Sequence, residues 1–177
     1  MLITDTVELR PAVPSDAQAL ADAYLRNREH LSATEPPRRP EFYTAAGQAE
    51  RITEPNSATW LLVDGERVVG RLMLSGIVLG PLCSGSLGYW ADAEYTGRGL
   101  VSAAVEEICR AARDELGLHR VEASALTDNK ASQRVLAKCG FVEYGRAPAY
   151  LFIAGEWRDH LLFQRLLHTG PPRHLRT

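Results

Sequence analysis

Neither sign of charge predominates in this chain: 20 Lys and Arg stand against 22 Asp and Glu, a formal net charge of −2 over 177 residues. A binder of nucleic acid needs a cationic footprint, so that class of partner is not expected. Cysteine is scarce. Cys83, Cys109 and Cys139 are odd in number and far apart, and they match neither a metal-ligand spacing nor a disulfide framework, so no metal is expected. No apolar run nears the ~18 residues of a membrane span. The first residues have neither the basic start nor the apolar stretch of a signal peptide. Internal repeats, low-complexity stretches and linkers are missing too. What remains is 45% hydrophobic and 24% charged residues, enough apolar surface for a core. The expectation is one soluble, cytoplasmic domain over residues 1–168. A tail over 169–177, with two prolines and two arginines, is expected to be flexible.

Residues 6–10 alternate apolar and polar positions, as a half-buried strand does. Pro14-Ser15-Asp16-Ala17-Gln18 looks like a helix start, with Ser15 as cap and Gln18 in capping-box spacing. Ala17, Leu20, Ala21, Tyr24 and Leu25 then recur at helical spacing. Three prolines make 32–40 a loop, and a helix follows over 44–53. Residues 60–63, Asp64-Gly65 and 67–74 read as a hairpin, because Asp-Gly tolerates the positive angles of a tight turn. A strand is expected at 86–91. Leu100, Ala104, Ile108, Ala111, Ala112 and Leu116 form a helical stripe that Gly117 stops. A strand over 119–127 and a short helix over 130–138 follow, with Asp128 and Asn129 as capping candidates and Gly140 as the stop. Strands at 141–144 and 159–166 complete a mixed α+β chain.

The first chemical signal is Tyr95-Thr96-Gly97-Arg98-Gly99-Leu100-Val101, between a strand and the long helix. The first amides of a helix lack internal partners, and the dipole makes that end electropositive. Gly97 and Gly99 leave room for a bulky anion, so the ligand suggested is a phosphate or pyrophosphate, with Arg98 adding a charge-assisted contact. A plain two-glycine turn is the alternative. A dinucleotide fold fits poorly: Ser102 replaces its third glycine, and Glu122 falls near the start of the next strand rather than at its end. No G-K-[S/T] occurs, which excludes a P-loop.

Further motifs follow in a fixed order: Glu115-Leu116-Gly117-Leu118-His119-Arg120-Val121-Glu122-Ala123, then Thr127-Asp128-Asn129-Lys130-Ala131-Ser132, then Cys139-Gly140-Phe141-Val142-Glu143-Tyr144-Gly145. With the glycine turn, they resemble the GNAT superfamily of acetyl-CoA-dependent N-acetyltransferases, and within it the RimJ/RimL ribosomal-protein branch. The resemblance runs from about residue 7 to 166. It implies a GNAT-like, mostly antiparallel central sheet flanked by helices, whose middle strands, about 86–91 and 119–127, splay apart at one end. Coenzyme A would enter that gap, its pantetheine arm on backbone groups of Trp90, Ala91 and Asp92 and its pyrophosphate on the amides of Thr96, Gly97, Arg98, Gly99, Leu100 and Val101. The resemblance further implies that Asn129 contacts the pantetheine arm and that Arg134 or Lys138 meets the phosphates at the adenine end. It makes a homodimer plausible. The chain departs from the superfamily at Thr96, where Gln or Arg is favoured, and at Val101, where Gly or Ala is. At Leu136 many members carry a Tyr that protonates the departing thiolate, so this chain cannot use that residue.

Acetyl transfer to an amine needs a neutral nucleophile, stabilisation of charge on the thioester oxygen, and a proton for sulfur. An α-amine, with pKa near ~7.7–8.0 against ~10.4 for lysine, needs only a modest base. A backbone amide near Ala91 would hold the oxyanion. The resemblance assigns the proton donor to Ser132, three positions after Asn129; a helix-capping serine is the alternative. Glu122 is the candidate base, with an ion pair to Arg71 or Arg120 as the alternative. Asp159 and His160 are further candidates, although Trp157 and Asp159 serve equally well as struts for the last strands. Leu151 stands where some branch members carry a glutamate. Cys109 and Cys139 read as buried small hydrophobes, and His30, His168 and His174 as surface residues.

Residues 31–43 border the acceptor mouth, and their charges, Glu35 and Glu41 against Arg38 and Arg39, cancel. Three functions remain open: acetylation of a protein or peptide N-terminal amine, acetylation of a small-molecule amine, and a non-catalytic acyl-CoA-binding module.

Overall fold

The computed structural model describes residues 1–172; the last five residues, with His174 and the end of the expected tail, lie outside the described residues. Seven strands form one sheet: β1 Val7–Pro11, β2 Ala58–Asp64, β3 Arg67–Val78, β4 Ser84–Ala91, β5 Arg120–Leu126, β6 Val142–Ile153 and β7 Glu156–Leu166. Their order across the sheet is β1-β2-β3-β4-β5-β7-β6. Each neighbouring pair is antiparallel except β4 and β5, which run parallel at the centre. The helices are α1 Ala17–Arg26, α2 Arg28–Ser32, α3 Ala45–Ile52, α4 Leu100–Asp114 and α5 Lys130–Lys138. No helix among the described residues is long and apolar enough to cross a membrane.

Strand alternation divides the apolar side chains between two faces. On one, Leu100, Ala104 and Ile108 of α4 and Leu136 of α5 pack on Leu72, Leu87, Val121 and Ala123. On the other, Leu20 and Tyr24 of α1, Leu31 of α2 and Phe42 pack on Leu61, Val63, Val68 and Trp90. The long helix carries this stripe through Ala112 but ends at Asp114, short of Leu116 and the expected stop at Gly117; α5 begins and ends where the sequence placed it.

Other expectations shift. Ser15 does not cap the first helix. A 3-10 turn over Pro14–Asp16 precedes α1, and it is Asp16 that reaches back, accepting the Val13 N–H at 2.8 Å and both Arg10 Nη groups at 2.7 and 2.8 Å. A carboxylate there satisfies a free amide and an arginine together, which a serine hydroxyl does not. The expected strand at 141–144 continues to Ile153 despite Gly145 and Pro148. β6 is an edge strand, where proline is tolerated, and its pairing with β7 slips between Ala147 and Leu151. Asp159 clamps that irregularity, accepting the Ala149 N–H at 2.8 Å and Arg146 Nη2 at 2.7 Å. The Asp64-Gly65 hairpin forms as read, with Gly65 at φ 59°.

Ile108 is fully buried at the centre of the α4 face. Ile108→Ala is expected to cost about 2–5 kcal/mol, seen as a lower urea midpoint with an unchanged m-value.

Candidate active site

Parallel pairing between β4 and β5 extends only from Ser84 opposite Arg120 to Leu87 opposite Ala123. Beyond that point β4 stays with β3 as far as Ala91 opposite Gly70, and β5 stays with β7 as far as Leu126 opposite His160. The two strands therefore part, and the β5-facing edge of residues 88–91 has no strand partner. Main-chain groups in that position need water or a ligand, and an extended chain laid along them would complete the sheet. The cavity that runs from this fork to the start of α4 measures about 430 Å³.

The start of α4 is left uncapped. Gly99 is its N-cap at φ 77°, with no side-chain cap, and Gly97 sits at φ 74°. A Cβ at either glycine would meet no protein atom within 4 Å. The left-handed backbone, not crowding, is what calls for glycine there. Leu100 and Val101 line the cavity, as do Thr96, Gly97 and Gly99. Arg98 does not line it: its guanidinium stacks 4.7 Å from the Tyr95 ring centroid. Arg134 and Lys138 line the cavity from α5.

Like Arg98, Asp92 does not line the cavity. Its N–H donates to Val69 O at 2.8 Å, and its buried carboxylate accepts Arg26 Nε at 2.9 Å and Arg67 Nη2 at 3.0 Å. Burial pushes this carboxyl up, but Arg67, the Glu94 N–H, Asn27 and Arg26 together hold it below the usual carboxylate range. Asp92 thus fastens α1 to the end of β4, just where the chain turns toward the glycines.

At the fork, α5 presents its first turn. Asn129 is the N-cap, its Oδ1 accepting the Ser132 N–H at 3.0 Å. With the cap supplied by Asn129, the Ser132 hydroxyl is not used on its own helix. It lies 2.9 Å from Tyr89 Oη, which is also 3.3 Å from the Ser132 carbonyl. Burial pushes the Tyr89 phenol up to about 12, so it remains protonated. Trp90, Ala91, Asn129 and Ser132 line the cavity with Tyr89. The sequence reading missed Tyr89 because its reach to α5 is a tertiary contact. It also missed His30, exposed on α2, which borders the same cavity.

Ser132 opens on its other side into a 200 Å³ cavity, shared with Ser124, Leu151, His160 and Glu35. His160 is buried and its Nδ1 lies 3.1 Å from the Arg158 carbonyl. A carbonyl can only accept, so Nδ1 is the donor in that contact. Glu122, the expected base, is not brought to this cavity. It sits at the closed end of the fork, ion-paired to Arg120 and accepting from Tyr144 Oη at 3.1 Å. Of its two candidate arginines, Arg120 is the partner, because alternate residues of one strand share a face. Asp159 holds the β6 irregularity and Trp157 lies exposed, 5.8 Å from the Phe152 ring. Burial pushes the Cys109 and Cys139 thiols up to about 11, away from nucleophilic character. Among the described residues no cluster of His, Cys, Asp or Glu is suited to a metal ion.

Comparison with known proteins agrees with this geometry. Residues 6–142 match the family described as acetyltransferase (GNAT) domain. The [ribosomal protein uS5]-alanine N-acetyltransferase of Escherichia coli (strain K12) is 32% identical over 91% of this chain and 88% of its own. The solved ribosomal-protein-S5-alanine acetyltransferase from Vibrio fischeri superposes with a TM-score of 0.91, at 31% identity over 97% of this chain and 98% of its own. Mycobacterium smegmatis RimJ, solved in complex with CoA-disulfide, gives 0.82 at 29% identity, covering 90% and 81%.

The Asp92 anchor has a pH signature. A carboxyl with a depressed folded pKa contributes stability above its unfolded pKa, and that contribution fades as pH falls through the folded value. Asp92→Asn is expected to lower stability by about 1–3 kcal/mol at pH 7, and the gap to wild type should narrow below about pH 4 in urea titrations.

Proposed function

Because the chain belongs to the GNAT acetyltransferase family, we propose that residues 1–168 act as one domain transferring an acetyl group from acetyl-CoA to a primary amine, foremost the N-terminal α-amine of a protein or peptide. The observation that carries this reading is a single continuous cavity. It joins the unpaired edge of β4, the uncapped start of α4 and the Ser132 hydroxyl. Acetylation of a ribosomal-protein alanine by relatives that cover nearly the whole chain supports the choice of acceptor. The same reading includes a cytoplasmic setting.

The fit to coenzyme A rests on donor chemistry. Amides at Gly97, Gly99, Leu100 and Val101 form an electropositive cradle for a pyrophosphate, and Arg134 and Lys138 add cationic side chains on the opposite wall. Backbone groups of residues 88–91 take the pantetheine arm as an added strand. Asn129 and Ser132 then flank the thioester, and a backbone amide near Ala91 stabilises the developing oxyanion.

Attack is direct, within a ternary complex. His160, carrying its lone pair on Nε2, accepts the proton of the incoming amine from the 200 Å³ side cavity. Tyr89 Oη lies 2.9 Å from the Ser132 hydroxyl; with the phenol as donor in that pair, the serine proton is free for the departing sulfur. In this role the pair replaces the tyrosine that many superfamily members carry at the position of Leu136. Leu136 itself is fully buried on the inner face of α5 and takes no part.

Assay of free coenzyme A thiol across a panel of peptides and small amines tests the reading; tight acetyl-CoA binding without thiol release from any amine would overturn it. Ser132→Ala is expected to lower kcat by about 10²-fold or more, a typical contribution of a positioned acid. Unchanged turnover would remove that assignment. Glu122→Gln should retain the wild-type kcat, whereas His160→Gln should lower it by about 10²-fold.

A further inference from the structure

One pocket beside the fork is used by none of these steps. It holds 370 Å³ on the α1–α3 side of the sheet, and Arg38, Arg51 and Arg71 all line it. Arg71 projects from β3 and is only 7% exposed. Its Nη1 donates to Tyr24 Oη at 2.9 Å and its Nη2 to the Met73 sulfur, so neither contact supplies negative charge. Arg38 and Arg51 both stand over the Phe42 ring, their Cζ atoms 5.0 and 5.2 Å from its centroid. The Nε atoms of all three arginines are buried without a hydrogen-bond partner. Among the described residues, no carboxylate lies within 4 Å of any of the three guanidiniums.

Two acidic residues also line the pocket, Glu35 and Glu54. Neither is ion-paired within 4 Å to any of the three arginines, which outnumber them. Burial drives the Glu35 carboxyl upward, against the pull of Arg38, Arg71 and Arg51. Burial and then the charges of Arg71 and Arg38 push the Arg51 guanidinium down, a sign that the cationic groups repel one another. Glu54 is exposed. Partly buried guanidiniums without a counter-ion are costly, and a planar anion matching their donors would relieve that cost.

The pocket is continuous with the acceptor side of the fork. Glu35, Gly88, Tyr89 and Trp90 are common to it and to the cavity holding Ser132 and His160. We infer that the three-arginine pocket binds an acidic group of the acceptor, so that the preferred acceptor is a peptide with a carboxylate side chain close to its N-terminal amine. The inference deepens the acetyltransferase reading and rests on it only for the identity of the reacting amine. A polyamine would bring positive charge against three guanidiniums and is disfavoured on the same grounds.

The test is equilibrium binding of C-terminally labelled peptides to the full chain saturated with coenzyme A, followed by fluorescence anisotropy. The peptides differ only in carrying Asp or Glu, or their amides Asn or Gln, at the second and third positions. The acidic peptides are expected to bind about tenfold or more tightly than the amides, as charge-assisted contacts do. That gap should shrink to about twofold in Arg38→Gln and Arg51→Gln. These two are substituted because Arg71 is packed in the core. Equal binding of acid and amide, or no binding of either, would overturn the inference. Thiol release measured in parallel separates it from the reading beneath. Turnover of the amide peptide without acid preference removes the pocket and leaves the acetyltransferase; acid preference without thiol release from any peptide does the reverse.

Discussion

The separation of β4 from β5 after Leu87 and Ala123 is the constraint on which the rest of the structure depends. Each strand keeps its outer neighbour, so the sheet stays intact while a row of main-chain groups at its centre goes unpaired. An edge in the middle of a sheet is normally a liability, because it invites pairing with another chain. Here it is recessed beneath α5 and the start of α4, which limits what can reach it to something narrow and extended. The glycines of the α4 turn lie at one end of that slot, and Ser132 lies beside it.

Both faces of the sheet take part, and they are held in register by a few polar anchors. Asp92 joins Arg26 of α1 and Arg67 of β3 to the end of β4, and Asn27 receives the Ala93 N–H at 3.1 Å. The helical layer of α1–α3, with the arginine pocket beneath it, is thereby fixed relative to the glycine turn on the other side. At the fork, Asn129 takes over the capping of α5, so the Ser132 hydroxyl is available to Tyr89. Had the serine been the cap, its hydroxyl would be bound to its own helix.

Several elements were legible because their signals are local. The apolar stripe of α4 and the glycines flanking it come from residues within one or two turns of each other, as does the Asn129 cap. Ten of the twelve expected cofactor-side residues line the cleft; Asp92 and Arg98 do not. The side chains of these two have partners elsewhere: Asp92 in arginines on α1 and β3, Arg98 on the Tyr95 ring. The full length of β6 was hidden because Gly145 and Pro148 normally interrupt a strand. Tolerance of them depends on the edge position and on the Asp159 clamp, and neither is visible in the local sequence.

By itself the sequence determined the α+β class, the helix that ends the glycine turn, and the order of motifs that identifies the family. Those are matters of periodicity, capping and spacing along the chain. Only the tertiary structure decided which acids and bases meet. Glu122 went to Arg120 at the closed end of the fork while His160 came to the open end, and Tyr89 found Ser132 across 43 residues of chain. It also gathered Arg38, Arg51 and Arg71 around one pocket, although the net charge of the mouth segment read as zero. The reason is that charge in a folded protein acts through distance and burial, and neither is a property of sequence separation.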